Sequence, residues 1–154
     1  MIERLELLIP PPLYALAFAA SMWLLDRSIP AATWLSEPWT MIGVVLMAVG
    51  MLPAVAAFRC FRRFHTTANP HHPENASRLV TGGIYGYSRN PMYLSLLLAL
   101  LGWAIHLGNL TALLFPPLFA AIVTRLQILP EERVLARRFD EEFHAYRQKV
   151  RRWL

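Results

Sequence analysis

Cysteine, charge and glycine are all scarce in this chain of 154 residues, and each shortage excludes something. A single cysteine, Cys60, rules out an intramolecular disulfide and leaves no partner for a redox or zinc pair. Charged residues amount to 16% against 56% hydrophobic, which is not the composition of a soluble domain. No G-x-G-x-x-G turn, P-loop, or Ser or Cys nucleophile motif is present, so no nucleotide fold of the soluble kind is expected. His65, His71 and His72 stand without a carboxylate or cysteine at ligand spacing, and no metal is expected. Met1 to Glu6 carry two Glu against one Arg, which does not make a cleavable signal peptide of the usual form.

What the chain has instead is long apolar runs. Leu7 to Leu25 is uncharged, with Pro10, Pro11 and Pro12 at its start, and Trp39 to Phe58 is a second uncharged run containing Gly43, Gly50 and Pro53. Met92 to Leu107 is a third, and Leu110 to Leu129 a fourth, with Pro116-Pro117 expected to bend or break it. Runs of this length read as membrane spans. The net charge of +5 does not point to nucleic acid, because the basic residues flank the spans. With both termini cytoplasmic, fourteen of the fifteen Lys and Arg residues lie inside and only Arg27 outside, as the positive-inside rule requires. The expected fold class is an all-α integral membrane protein of about four transmembrane helices, a single domain over 1–154. Its parts are two N-terminal spans (1–58), a cytosolic loop (59–91), a transmembrane hairpin (92–129) and a C-terminal amphipathic helix (130–154).

The hairpin follows from Gly108-Asn109, a turn short enough to make the third and fourth helices antiparallel neighbours. Counting from that turn back to Asn90 and forward to Glu131 gives roughly 18 and 22 residues, about 28 and 33 Å of helix, each near one bilayer core. Arg89-Asn90-Pro91-Met92-Tyr93 and Pro130-Glu131-Glu132 are therefore expected side by side at the cytoplasmic face. Asn90 suits a helix N-cap and Pro91 the position after it. Free N–H groups of the first turn, with Arg89 beside them, suit an anion. Glu131 and Glu132 suit a cation or hydroxyls. Arg125, about one turn inside the membrane edge, either snorkels to the surface or faces the bundle. In the tail, Leu135, Phe139, Phe143, Tyr146, Val150 and Trp153 recur at helical spacing. This stripe either lies on an anionic membrane surface, aided by Arg137, Arg138, Arg147, Lys149, Arg151 and Arg152, or packs on the long loop and closes a site.

Leu79-Val80-Thr81-Gly82-Gly83-Ile84-Tyr85, then Ser88-Arg89-Asn90-Pro91-Met92-Tyr93-Leu94, Glu131-Glu132, and Phe139-Asp140-Glu141-Glu142-Phe143-His144-Ala145-Tyr146 strongly resemble the integral-membrane isoprenylcysteine carboxyl methyltransferase and phospholipid methyltransferase families, in their bacterial form. The resemblance covers residues 66 to 154. It implies S-adenosylmethionine as cofactor, bound on the cytosolic side between the hairpin and the C-terminal segment. The implied cofactor contacts are Ser77, Arg78, Leu79, Val80, Tyr85, Arg89, Asn90, Pro91, Met92, Tyr93 and Glu131. Arg125 and Glu132 are the candidates for substrate chemistry or orientation. Gly is usual in those families where Asp140 stands here, and a substrate-facing Arg of the prenylcysteine enzymes falls near Gln127. The implied function is methyl transfer, in a bacterial inner membrane, to a lipid or lipophilic acceptor or a small thiol, with membrane lipids as surroundings. Two other readings stay open: a non-enzymatic membrane assembly partner, and a nicotinamide-dependent reductase related to the sterol reductases.

Overall fold

The computed structural model describes residues 6–29, 32–64 and 79–154, and among these all regular structure is helical. Helix α1, Pro11–Ser28, opens on the prolines at its first turn, where their missing N–H groups cost nothing. The second apolar run forms α2, Met41–Gly50, and α3, Leu52–Phe64, with a break at Met51. Pro53 supplies the cause, since it has no N–H to give to the preceding turn. The next amide, Ala54 N–H, is bonded instead by Ser95 Oγ of the neighbouring helix at 2.8 Å.

Helix α4, Pro91–Leu107, packs most closely on α2. A Cβ on Gly43 would lie 2.3 Å from the Gly102 carbonyl oxygen, and one on Gly102 would lie 2.6 Å from that of Gly43. The two backbones therefore touch, which only small residues permit in a membrane bundle. Gly108, at φ 65, ends α4 in the left-handed conformation expected of the turn. Asn109 accepts from Thr111 N–H and donates to Asp26 and to the Ile29 carbonyl, tying the turn to the end of α1.

Beyond that turn the chain differs from expectation in two places. Pro116-Pro117 do not break a helix. A 3-10 turn, Leu110–Leu114, comes first, and the prolines sit in the first turn of α5, Phe115–Val123. Pro130 does not separate the hairpin from the tail either. A π turn, Thr124–Ile128, runs without interruption into α6, Leu129–Lys149. Pro130 cannot donate to the Leu126 carbonyl, and that carbonyl accepts Leu7 N–H at 3.0 Å instead. Within α6, Asp140 adopts φ 34, a positive value that favours Gly, and kinks the helix.

Met41–Arg63 and the continuous helix Leu110–Lys149, whose apolar part ends at Leu129, are long and apolar enough to cross a membrane; α4 is a shorter apolar helix of 17 residues. Ile42, Val45, Val49, Leu52 and Val55 are exposed along the outer side of α2 and α3. A contiguous apolar face of that extent suits contact with acyl chains rather than water. One core joins Met22, Leu100, Phe119, Val123 and Ile128 between α1, α4 and α5. A second, at the other end, joins Ala57, Leu79, Val80, Tyr85, Phe143, Tyr146 and Val150. The tail stripe thus packs on the end of the long loop, the second of the two arrangements its spacing allowed. Trp153 leaves the stripe. The helix stops at Lys149, the chain leaves it at Val150 and bends again at Arg152, and Trp153 packs on the first core.

Candidate functional site

The start of α4, the start of α6 and the terminal segment meet where the sequence places its candidate residues. Asn90 occupies the N-cap position and Pro91 the next, but the Asn90 side chain does not cap the helix. Its Nδ2 donates to the Arg152 carbonyl at 2.9 Å, and Arg89 N–H donates to the Arg151 carbonyl at 3.1 Å. The terminal segment brings unpaired carbonyls across Arg89 and Asn90, and these take the amide that a purely local rule assigns to capping. No side chain caps the first turn of α4, so its N–H groups are left without a side-chain acceptor.

Glu132, 8% exposed, is held by two guanidinium groups. Arg89 Nη2 donates to Oε1 at 2.8 Å; Arg152 donates to Oε2 through Nη2 at 2.8 Å and to Oε1 through Nε at 3.0 Å. Charge-assisted, partly bidentate bonds of this kind fix orientation as well as supply energy. The cations respond differently. Burial lowers the pKa of Arg89, against the pull of Glu132, whereas the hydrogen bond that Arg152 donates to Glu132 raises its own. Arg89 Nε is buried without a partner, leaving one N–H donor unspent beside the uncapped turn.

Glu131, the neighbouring carboxylate, accepts a hydrogen bond from Tyr93 Oη. Burial raises its pKa to about 7; the Tyr93 bond opposes the shift and the charge of Glu132 adds to it. In the unfolded chain the carboxyl ionises near 4.5, so between about pH 4.5 and 7 the unfolded state sheds a proton that the folded state keeps. This group's contribution to stability is therefore full below about pH 4.5 and is lost as pH rises through about 7. Thermal unfolding followed across that range is expected to show the fall, and Glu131→Gln to remove it. An equal slope in the variant would show that Glu131 ionises freely in the folded protein.

Tyr85 is buried in the second core, where its carbonyl accepts from Tyr146 Oη at 2.6 Å and its ring meets Phe61 edge to face at 5.4 Å between centroids. Burial raises the phenol groups of both Tyr85 and Tyr146. Leu79 and Val80 are buried in the same cluster, while Met92 and Tyr87 face outward. Arg125 is exposed on the π turn and makes no hydrogen bond or ion pair among the described residues, so it is not joined to the Glu131–Glu132 group. Ser77, Arg78, His65, His71 and His72 lie outside the described residues. The described residues hold no cluster of His, Cys, Asp or Glu fit for a metal ion.

Two residues of this region escape sequence reasoning. Arg152 reads there as one more basic residue of the tail helix, yet it turns inward as the second partner of Glu132. Its only signal was the adjacent pair Glu131-Glu132, which one arginine cannot balance. Ser95 reads as part of an apolar span, and a lone hydroxyl there shows no sign of the broken helix it serves.

Comparison with known proteins gives three findings. A phospholipid methyltransferase family model matches residues 39–142. An uncharacterised protein of Haemophilus influenzae is 49% identical over 63 residues, its whole length and 41% of this chain. The protein-S-isoprenylcysteine O-methyltransferase of Schizosaccharomyces pombe is 30% identical over 112 residues, which is 71% of this chain and 43% of that protein's length. No solved structure matches.

Proposed function

The chain belongs to the phospholipid methyltransferase family, and from that premise we propose that it is an S-adenosylmethionine-dependent methyltransferase of the bacterial inner membrane, with four spans and both termini cytoplasmic. The single observation that carries the site is the meeting of Tyr93–Glu131 with the Arg89–Glu132–Arg152 clamp at the uncapped start of α4.

The donor set fits the cofactor. Arg89 Nε and the first-turn N–H groups of Met92 and Tyr93 are unspent donors suited to a carboxylate. The second oxygen of Glu131 is suited to ribose hydroxyls or the amino group. Tyr85, Leu79 and Val80 line the loop side by resemblance, with Ser77 and Arg78 just upstream. When bound, S-adenosylmethionine supplies an activated methyl group, which the acceptor's lone pair takes as the carbon–sulfur bond breaks and its electrons stay on sulfur. Glu132, with both oxygens spent on arginines, acts as a positioning residue that sets Arg89 against the α4 terminus. Arg125 stands at the lipid-facing surface, where it can orient an acceptor head group approaching in the bilayer. The acceptor is lipophilic and enters laterally. A pocket that holds it in line with the methyl group supplies most of the catalysis, because the reaction asks for positioning above all.

Calorimetry on the protein in detergent tests this. Micromolar binding of S-adenosylmethionine is expected, weakened at least about tenfold, or about 1.4 kcal/mol, by Glu131→Ala combined with Asn90→Ala. Equal affinity in the double variant would sink the site, and labelled methyl transfer to membrane lipid and small-thiol extracts tests the activity itself.

A further inference from the structure

The side of α3 turned away from the bundle changes character along its length. Leu52 and Val55, exposed in its first turns, are followed on the same side by Arg59, Arg62 and Arg63, which are exposed too. No Asp or Glu stands between Glu37 and Glu74, and the three arginines form no ion pair among the described residues. The helix dipole favours cations in a last turn. It does not account for Arg59, more than a turn before the end at Phe64, nor for the side shared with Leu52 and Val55. Like charges spaced three and four residues apart oppose the helix that carries them. From Leu52 to Arg63 the rise is about 17 Å, close to the roughly 15 Å of hydrocarbon in one leaflet. One face thus passes from acyl depth to phosphate depth, and guanidinium groups match phosphate oxygens in geometry as well as charge.

The opposite side of the same turns is built into the protein. Ala57 and Phe61 pack in the second core with Leu79, Val80 and Tyr85, and the Phe61 ring meets that of Tyr85. A Cβ on Gly83 would lie 2.8 Å from Cys60 Sγ, so the loop backbone lies close against α3. Whatever steadies the end of α3 therefore steadies the loop that leads to Arg89 and Asn90. We propose that the outer face of α3 binds an anionic phospholipid of the cytoplasmic leaflet, its acyl chains along Leu52 and Val55 and its phosphate among Arg59, Arg62 and Arg63. Occupation relieves the repulsion among the three cations and holds α3 against the loop, so the lipid acts on the candidate site from outside it. The leaflet rests on the orientation, and the effect on the site on the methyltransferase reading, proposed above.

The full chain is compared in nanodiscs of phosphatidylcholine and of phosphatidylcholine with phosphatidylglycerol, by Tm and by S-adenosylmethionine affinity. Phosphatidylglycerol is expected to raise Tm by at least about 3 °C, an effect that high salt weakens, and to tighten cofactor binding at least about threefold. Arg59→Gln, Arg62→Gln and Arg63→Gln together are expected to remove both effects. Arg137→Gln, Arg147→Gln and Lys149→Gln, an equal loss of charge on α6, are expected to keep them. In phosphatidylcholine alone the α3 variant is expected to melt no lower than the wild type, which keeps folding out of the comparison. No rise in the wild type overturns the proposal, as do equal responses in the two variants, which would show attraction to a charged surface without a site. Glycerol phosphate added to phosphatidylcholine nanodiscs is expected to change nothing; a matching rise in Tm would mean that the arginines hold a free anion, and overturns the lipid. A rise in Tm without tighter cofactor binding overturns the effect on the site. A rise that needs the three arginines, with no S-adenosylmethionine binding in either bilayer, upholds the lipid site and refutes the methyltransferase reading instead.

Discussion

Glu132→Ala is expected to lower stability by about 3–5 kcal/mol, the range for removing one partner of a buried ion pair. The reason lies less in the lost attraction than in what is left behind. Without the carboxylate, Arg89, whose side chain is 8% exposed, and Arg152 face each other as two cations with no anion between them. Burial already lowers the Arg89 pKa, and the pull of Glu132 is the largest influence that opposes it, so removing the carboxylate takes that support away. The loss is measurable as a fall in Tm in detergent, alongside Glu132→Gln, which keeps the volume and one acceptor oxygen and so loses less. A second readout separates fold from site: with Arg89 released, S-adenosylmethionine affinity is expected to drop even at temperatures where the variant remains folded. A loss under about 1 kcal/mol would show that the clamp behaves like an exposed surface ion pair.

The parts of this structure that were legible in the sequence are those decided by local rules. The turn at Gly108-Asn109, the start of α4 at Pro91 and the tail stripe from Leu135 to Val150 follow from left-handed glycine, first-turn proline and helical period. All three stand in the structure. The misreadings come from partners far away in the chain. Asn90 sits at the cap position as its type suggests, but an acceptor 62 residues away takes its amide. Pro130, with no N–H to give, orphans the Leu126 carbonyl. The N-terminal segment supplies Leu7 to that carbonyl, the turn widens, and the helix continues. Pro116-Pro117 read as a break because the 3-10 turn ahead of them has no period of its own to announce it. The pairing of Tyr93 with Glu131 could be placed from helix lengths on either side of the hairpin. The partners of Glu132 could not, because Arg152 reaches it only after the chain leaves the helix at Val150.

That exit from the helix leads to the second large effect. Deleting Val150 to Leu154 is expected to leave the helices in place while abolishing cofactor binding, a loss of at least about a hundredfold, or about 2.7 kcal/mol. The terminal segment supplies three things to the site: the Arg151 carbonyl for Arg89 N–H, the Arg152 carbonyl for Asn90 Nδ2, and the Arg152 guanidinium for Glu132. It also anchors itself at both ends, with Val150 in the loop-side core and Trp153 in the transmembrane core. Removing it frees Asn90 to cap α4 as its residue type prefers, which would place a side-chain oxygen on the N–H groups assigned to the cofactor carboxylate. Circular dichroism of the truncated protein tests whether the helices remain, and calorimetry tests whether binding is gone. Arg152→Ala separates the contributions, because it removes the guanidinium and keeps both carbonyls. If the backbone contacts matter most, that variant retains measurable affinity where the truncation does not. Affinity within about threefold of wild type in the truncated protein would mean that the start of α4 needs no terminal strap to hold its shape.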